Sequence, residues 1–254
     1  MHIDLNADVG ESFGAWRLGD DEAMLQVVTS ANVACGFHAG DPLTLKHTCE
    51  QAARRGVAIG AQVGYRDLVG FGRRFLDVAS DELQADILYQ LGALDAMCRA
   101  AGTRLSYVRP HGALYHVVAT NDGQARALLE ALCAYDDSLA LLHQAGSLVA
   151  RRARLRGVRV VAEAFADRAY LPDGRLIPRG REGAVCHDPE EAAARMVRLV
   201  RDGVITAVDG TDVRVDVESI CTTGDNAGAA ALALAVRSAL EAEGIEVNAF
   251  TKTT

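Results

Sequence analysis

The sequence is informative first through what it lacks. No apolar run reaches the roughly 18 residues that a membrane-crossing helix requires. There is no Gly-x-x-x-x-Gly-Lys-Ser/Thr loop and no Gly-x-Gly-x-x-Gly turn, so no recognised cradle for nucleotide phosphates is present. Basic residues are in deficit: 26 Lys and Arg against 34 Asp and Glu give a net charge of −8, which argues against nucleic acid as a main partner. Six cysteines (Cys35, Cys49, Cys98, Cys133, Cys186, Cys221) are widely spaced, and none forms a Cys-x-x-Cys pair. The chain opens with neither a basic stretch nor an apolar core of a secretory signal, so reduced, mostly buried thiols and a cytoplasmic protein are expected. No Pro/Gly/Ser-rich linker divides the 254 residues, and one domain spanning 1–254 is the expectation.

What is present is an alternation of short apolar runs and helical stretches. Strands are expected at 2–6, 31–37, 57–63, 104–108, 139–143, 158–163 and 218–222. Helices are expected near 20–29, 42–55, 80–101, 121–136, 146–156, 188–202 and 225–243. Asp41-Pro42 and Asp188-Pro189 read as an N-cap followed by proline at the first helical position. Ser80 and Asn121 read as further N-caps, and Gly102, Gly157, Gly203 and Gly244 as left-handed helix ends. Strict alternation implies parallel strands with right-handed crossovers, and about seven units favour a closed or nearly closed (β/α) barrel. Two segments break the rhythm. Residues 204–217 suggest a β-hairpin turning at Asp209-Gly210. Residues 166–184 form a long irregular stretch of the kind that often carries function.

In parallel α/β folds ligands bind at the carboxyl ends of the strands, so the residues just after each strand are informative. The first strand carries Asp4 and Asn6 on one face and runs into Asp8 and Glu11. The others lead to His38 and Asp41; to Gln62, Tyr65, Arg66 and Asp67; to Arg109 and His111; to His143 and Gln144; to Glu163, Asp167 and Arg168; and to Thr222, Thr223 and Asp225. A closed barrel brings these residues onto one rim. Plainer readings stand beside the functional ones. Asp41 and Asp225 suit helix caps, Asp8 and Glu11 resemble a variant capping box, His47 and His187 suit a surface, and Cys221 suits a buried thiol. Gly70-Phe71-Gly72-Arg73-Arg74 reads either as an anion-binding turn or as a plain basic loop.

The segments DLNADVGESFG (4–14), SANVACGFHAGDP (30–42), GFGRRF (70–75), RPHGALY (109–115), EAFADRAY (163–170), the Pro-Arg of LIPR (176–179) and CTTGD (221–225) together resemble the LamB/YcsF family, in order and over almost the whole chain. The resemblance implies a distorted (β/α) barrel of about seven strands, similar to glycoside hydrolase and polysaccharide deacetylase barrels. It also implies hydrolysis of the lactam 5-oxo-L-proline (pyroglutamate) to L-glutamate, as the A subunit of a 5-oxoprolinase. ATP, with Mg²⁺ as its companion ion, would be consumed in a complex with partner subunits B and C. The chain departs from the family at three positions. Gln62 and Thr223 stand where the family often carries histidine, and Arg109 where it usually carries lysine.

Lactam hydrolysis needs a base for water, a donor for the departing nitrogen and a cation near the oxygen. Asp8 or Glu11 is the candidate base, His111 the candidate acid and Arg109 the stabiliser of an oxyanion or phosphate. Asn6 and Glu163 are expected to orient the ring amide or water, with Asp4, His38, Asp41, Gln62, Arg168 and Asp225 completing the substrate-binding set. The alternatives are a stand-alone metal-dependent amidohydrolase, its ion held by Asp8, His38 and His111, and a non-catalytic substrate-binding subunit.

Overall fold

The computed structural model describes residues 1–224 and 228–251. Seven parallel strands close a barrel: β1 (His2–Val9), β2 (Ser30–Ala34), β3 (Ala58–Val63), β4 (Leu105–Pro110), β5 (Ala140–His143), β6 (Val160–Phe165) and, after two intervening strands, β9 (Ser219–Thr222). Closure comes from β9, which pairs with β6 through Glu163↔Ser219 and with β1 through Asp4↔Ser219. The intervening strands β7 (Val204–Thr206) and β8 (Asp212–Arg214) form the expected antiparallel hairpin, with Gly210 in the left-handed region at its turn. A short strand that the sequence pattern does not announce, β10 (Glu246–Val247), adds to the amino end of β1 at His2 and Ile3.

Helices cover the barrel: α1 (Asp21–Leu25), α2 (Pro42–Arg55), α3 (Ser80–Ala100), α4 (Gly112–Val118), α5 (Asp122–Asp136), α6 (Leu148–Leu155), α7 (Pro189–Asp202) and α8 (Ala229–Ala242). The caps explain several boundaries. Asp41 accepts hydrogen bonds from the amides of Leu43 and Thr44, Asp188 from those of Glu190 and Glu191, and Asn121 from that of Gln124. Gly102, Gly157, Gly203 and Gly244 all lie in the left-handed region past helix ends, as expected. Ser80 is instead the first helical residue, and the cap position falls to Ala79, whose methyl group cannot accept a hydrogen bond. The first helix is much shorter than expected. The β-branched run Val27-Val28-Thr29 disfavours continued helix, and Thr29 Oγ1 is drawn into the barrel by hydrogen bonds to Leu5 and Asp4. The second strand ends early because Gly36 turns the chain, its amide bonding the carbonyl of Ala39. Helix α4, absent from the expected helices, follows directly on His111 and starts without a side-chain cap.

Apolar side chains between helices and barrel make the main core, including Leu5, Ile59, Leu91, Leu128 and Val236. Inside the barrel, a small separate cluster of Tyr107, Ala140, Leu142 and Val161 fills one side, with Phe250 packed against it. Buried polar side chains from β1, β2, β3, β4, β6 and β9 occupy much of the remaining interior. All six cysteines are free thiols, with Cys35, Cys49, Cys98 and Cys221 buried and Cys133 and Cys186 half-buried. Among the described residues, no helix is long and apolar enough to cross a membrane.

Candidate active site

The alternation of side chains along β1 sends Asp4, Asn6 and Asp8 into the barrel. There they join a column of hydrogen bonds that climbs towards the carboxyl ends of the strands. At the bottom, the Asp4 carboxylate accepts from the hydroxyls of Ser30 (2.6 Å), Thr29 (2.8 Å) and Ser219. Burial pushes the pKa of Asp4 up to about 6, against the pull of those three hydroxyls. The Asn6 amide donates to Ser219 Oγ at 2.7 Å and accepts from Asn32 at 2.7 Å. Asn32 also donates to Asp8 Oδ1 at 3.0 Å and accepts from Tyr107 at 2.8 Å. Asp4 and Asn6 therefore hold the column beneath the rim, whereas Asp8 reaches the cavity above it.

Arg109 caps the column. Its guanidinium donates to Asp8 Oδ1 (2.9 Å), Glu163 Oε1 (2.7 Å) and Cys221 Sγ (3.3 Å). Burial works against its charge, but Asp8, Cys221 and Glu163 outweigh that effect and hold its pKa well above the ordinary value. Burial raises the pKa of Glu163, with Arg109 opposing, and one of its oxygens has no hydrogen-bond partner among the described residues. Cys221 is a buried thiol pushed far up by desolvation, as the plain reading held.

A second group adjoins this one. His38 and His111 stack with ring centroids 3.9 Å apart and planes 10° from parallel. Between them and Glu11 lies the side-chain amide of Gln62. Its nitrogen is 3.1 Å from Glu11 Oε1 and 3.0 Å from His111 Nδ1, and its oxygen is 3.1 Å from His38 Nε2. The chemistry of the partners fixes the protons. The carbonyl of Phe71 only accepts, so His111 Nε2, 2.9 Å away, carries the hydrogen. His111 Nδ1 then accepts from Gln62, and His38 Nε2 donates to it. Phe71 makes this geometry by adopting φ 55°, unusual for a residue other than glycine. At Gly72, with φ 63°, an added Cβ would lie 2.8 Å from His38 and 2.9 Å from His111, so the loop backbone clamps the stacked rings. Desolvation lowers His38 to about 4 and takes His111 well below its ordinary value, so both are neutral at physiological pH.

Above these groups opens a cavity of about 1130 Å³. Asp8, Arg109, His111, Tyr115, Phe165 and Thr223 contribute to its lining. The loop expected at 166–184 supplies the opposite wall, including Arg168, Arg175, Arg179 and Arg181, and Arg73 joins them. Arg168 is buried and donates to the carbonyls of Ala184 and Ile177. Desolvation, then the nearby charge of Arg179, lowers its pKa. Thr223 donates to Asp167. Helix α4 brings Tyr115 and His116 to the same cavity.

Several expectations need correction or relocation. Asp41 stands apart: its carboxylate is spent on the amides of Gly14, Leu43 and Thr44 and the hydroxyl of Thr44, and it lines a smaller recess. Asp8, His38 and His111 do not gather as a metal set. Among the described residues the cluster with ligand atoms within 4.8 Å of one another is Glu11, His38 and His111. The space at its centre is filled by the Gln62 amide, so the residues as arranged do not fit an ion. The backbone amides of the 70–74 turn bond within the loop and Arg74 pairs with Asp67, so this turn frames the histidines rather than cradling an anion. Asp225 lies outside the described residues. Sequence reasoning missed Asn32, Tyr107, Ser219 and Phe71. Tyr107 was accessible through its two-residue spacing from Arg109, but no sequence signal marks the left-handed Phe71.

The LamB/YcsF family model matches residues 3–254. The chain is 58% identical over 248 residues to a 5-oxoprolinase A subunit from Mycobacterium avium (strain 104), covering 98% of each sequence. It superimposes on a lactam utilization protein from Thermus thermophilus with TM-score 0.94 and 46% identity, covering 98% of this chain and 100% of that one. A family 4 carbohydrate esterase from Streptomyces lividans aligns with TM-score 0.53 at 11% identity over 100% of this chain and 96% of that one, a likeness of fold alone.

Proposed function

Since the chain belongs to the LamB/YcsF family, we propose that it is the A subunit of an ATP-dependent 5-oxoprolinase, a cytoplasmic hydrolase that opens the cyclic amide of 5-oxo-L-proline to give L-glutamate. Residues 1–254 act as one barrel domain. ATP and its Mg²⁺ are handled by partner subunits B and C, in keeping with the lack of phosphate-binding motifs in this sequence.

The observation that carries this reading is the Asp8–Arg109–Glu163 group at the base of a cavity walled by arginines. The substrate carboxylate is an anion and suits the arginine wall. The lactam carbonyl is resonance-stabilised, and ATP supplies the driving force by activating its oxygen. Transfer of the γ-phosphoryl group to that oxygen releases ADP; water adds to the carbonyl carbon, the C–N bond breaks with the nitrogen leaving protonated, and a second water cleaves the resulting acyl phosphate to carboxylate and inorganic phosphate. Asp8, facing the cavity, takes the proton from water and delivers it to the nitrogen. Arg109 stabilises negative charge on the oxygen; being permanently charged, it does not donate a proton. Glu163 holds Arg109, and Asn6 positions Asp8 through Asn32, which bonds both; His111 lines the cavity with Gln62, His38 and Glu11 buried behind it. An acid role for His111 requires its Nε2–H to leave the Phe71 carbonyl for the substrate.

The test uses the three subunits together. Asp8→Asn, with folding verified by circular dichroism, is expected to lower kcat for ATP-dependent glutamate formation by about 100-fold or more. Full activity would remove Asp8 from the chemistry. Absence of turnover by the wild-type assembly would remove the whole reading.

A further inference from the structure

The Glu11–His38–His111 group has the composition of a transition-metal site: one carboxylate and two imidazoles, all buried, with ligand atoms within 4.8 Å of one another. Its surroundings are those of a ligand shell as well. His111 donates Nε2–H to the Phe71 carbonyl, the kind of outer contact that orients a metal-binding imidazole and leaves its other nitrogen facing inward as a lone pair. The backbone of Gly72 fixes both rings from the side.

Yet the centre is taken. The Gln62 amide makes one hydrogen bond to each of the three groups, at 3.0 to 3.1 Å. A metal needs bonds of about 2.0–2.2 Å to the same atoms and cannot share that space. The amide also disables one ligand. His38 must carry its proton on Nε2 to donate to Gln62 Oε1, so its inward nitrogen has no lone pair to offer. Its other nitrogen, Nδ1, is buried without a hydrogen-bond partner among the described residues. Without the amide, the proton can sit on Nδ1 and Nε2 becomes a donor of electrons.

We propose that Glu11, His38 and His111 form a divalent-metal site that the side chain of Gln62 holds shut, its amide taking the ion's place and its contacts. The chain organises this part of its rim by hydrogen bonds, and the capacity to bind a metal returns when the amide is removed. The inference concerns the chain's own ligands and holds whatever substrate the cavity accepts.

Cobalt(II) reports directly on such a site through its visible absorption. After chelation and dialysis, the full chain is titrated with Co²⁺, and bound metal is measured by elemental analysis. Wild type is expected to retain no cobalt and show no ligand-field bands. Gln62→Ala, which empties the centre, and Gln62→His, which supplies a third imidazole of similar bulk, are each expected to bind about one equivalent with intense visible bands. Adding His38→Ala to either variant should abolish both signals. Binding of one equivalent by wild type, lost in His38→Ala, would overturn the proposal by showing that Gln62 yields to the ion. So would two Gln62 variants with native circular dichroism that take up none. Should Gln62→Ala fail to fold, Gln62→His and the wild-type titration still decide the matter.

Discussion

Asp4 illustrates how much of the barrel interior is set by single residues. It is fully buried, and its carboxylate is held by three hydroxyls, which solvate it less well than water or a cation does. Its folded-state pKa, raised to about 6 from 3.8, means that the folded chain holds the proton more tightly than the unfolded chain. The stability this provides is fully present below the unfolded value and is lost as pH rises through about 6. Between pH 5 and pH 7 the wild type should therefore lose about 1 kcal/mol that Asp4→Asn does not lose. Urea unfolding of both proteins at the two pH values measures the difference. A gap between them that does not change with pH would show that Asp4 titrates as an ordinary carboxylate. The alternation in HIDLNAD put Asp4, Asn6 and Asp8 on one face, but not the depth of each. That depth depends on the register with β9, 215 positions away at the Ser219–Asp4 contact, which no local pattern encodes.

At the scale of the element, the two proline-marked helix starts were the most legible boundaries, whereas the ends of α1 and β2 were not legible. Asp41-Pro42 and Asp188-Pro189 mark the starts of α2 and α7, and glycines mark their ends. The same clarity misleads about function at Asp41, because a residue at a strand's carboxyl end can serve the next helix instead of the cavity. Removing its side chain should cost about 0.5–2 kcal/mol by loss of the cap, and it also releases the amide of Gly14. Asp41→Ala is accordingly expected to lower the unfolding midpoint while kcat and KM of the assembled enzyme stay at wild-type values. A fall in kcat at full folding would return Asp41 to the chemistry. Helix α4 was illegible for a physical reason: a seven-residue helix with no capping side chain offers little periodicity. It is held by what it packs against, with Leu114 and Val118 buried and the amide of Ala113 bonded to Gly72.

Over the whole molecule, charge is distributed unevenly. The chain carries a net −8, yet Arg73, Arg109, Arg168, Arg175, Arg179 and Arg181 line the cavity, where the acidic lining residues are Asp8 and Glu182. Part of this excess is neutralised nearby: Arg109 by Asp8 and Glu163, and Arg175 by Asp173. Like charges nonetheless act on one another here: after desolvation, Arg179 adds to the lowering of Arg168, and desolvation followed by Arg168, Arg109 and Arg179 takes His116 down to about 4. An acidic protein with a basic cavity repels anions at a distance and attracts them at the mouth, so the attraction must be short-ranged and sensitive to salt. The alternation of strands and helices made the barrel predictable, and with it the rim. The sign of the cavity was not predictable, because it arises where an irregular loop with no periodicity folds back over that rim. Raising ionic strength from about 0.01 M to about 0.15 M shortens the screening length from roughly 30 Å to about 8 Å. Over that range, binding of 5-oxoproline to the isolated chain, followed by calorimetry, should weaken on the order of 3- to 10-fold. Its uncharged carboxamide analogue should bind with little change. Equal salt dependence for the two would mean that the arginine wall does not read the carboxylate.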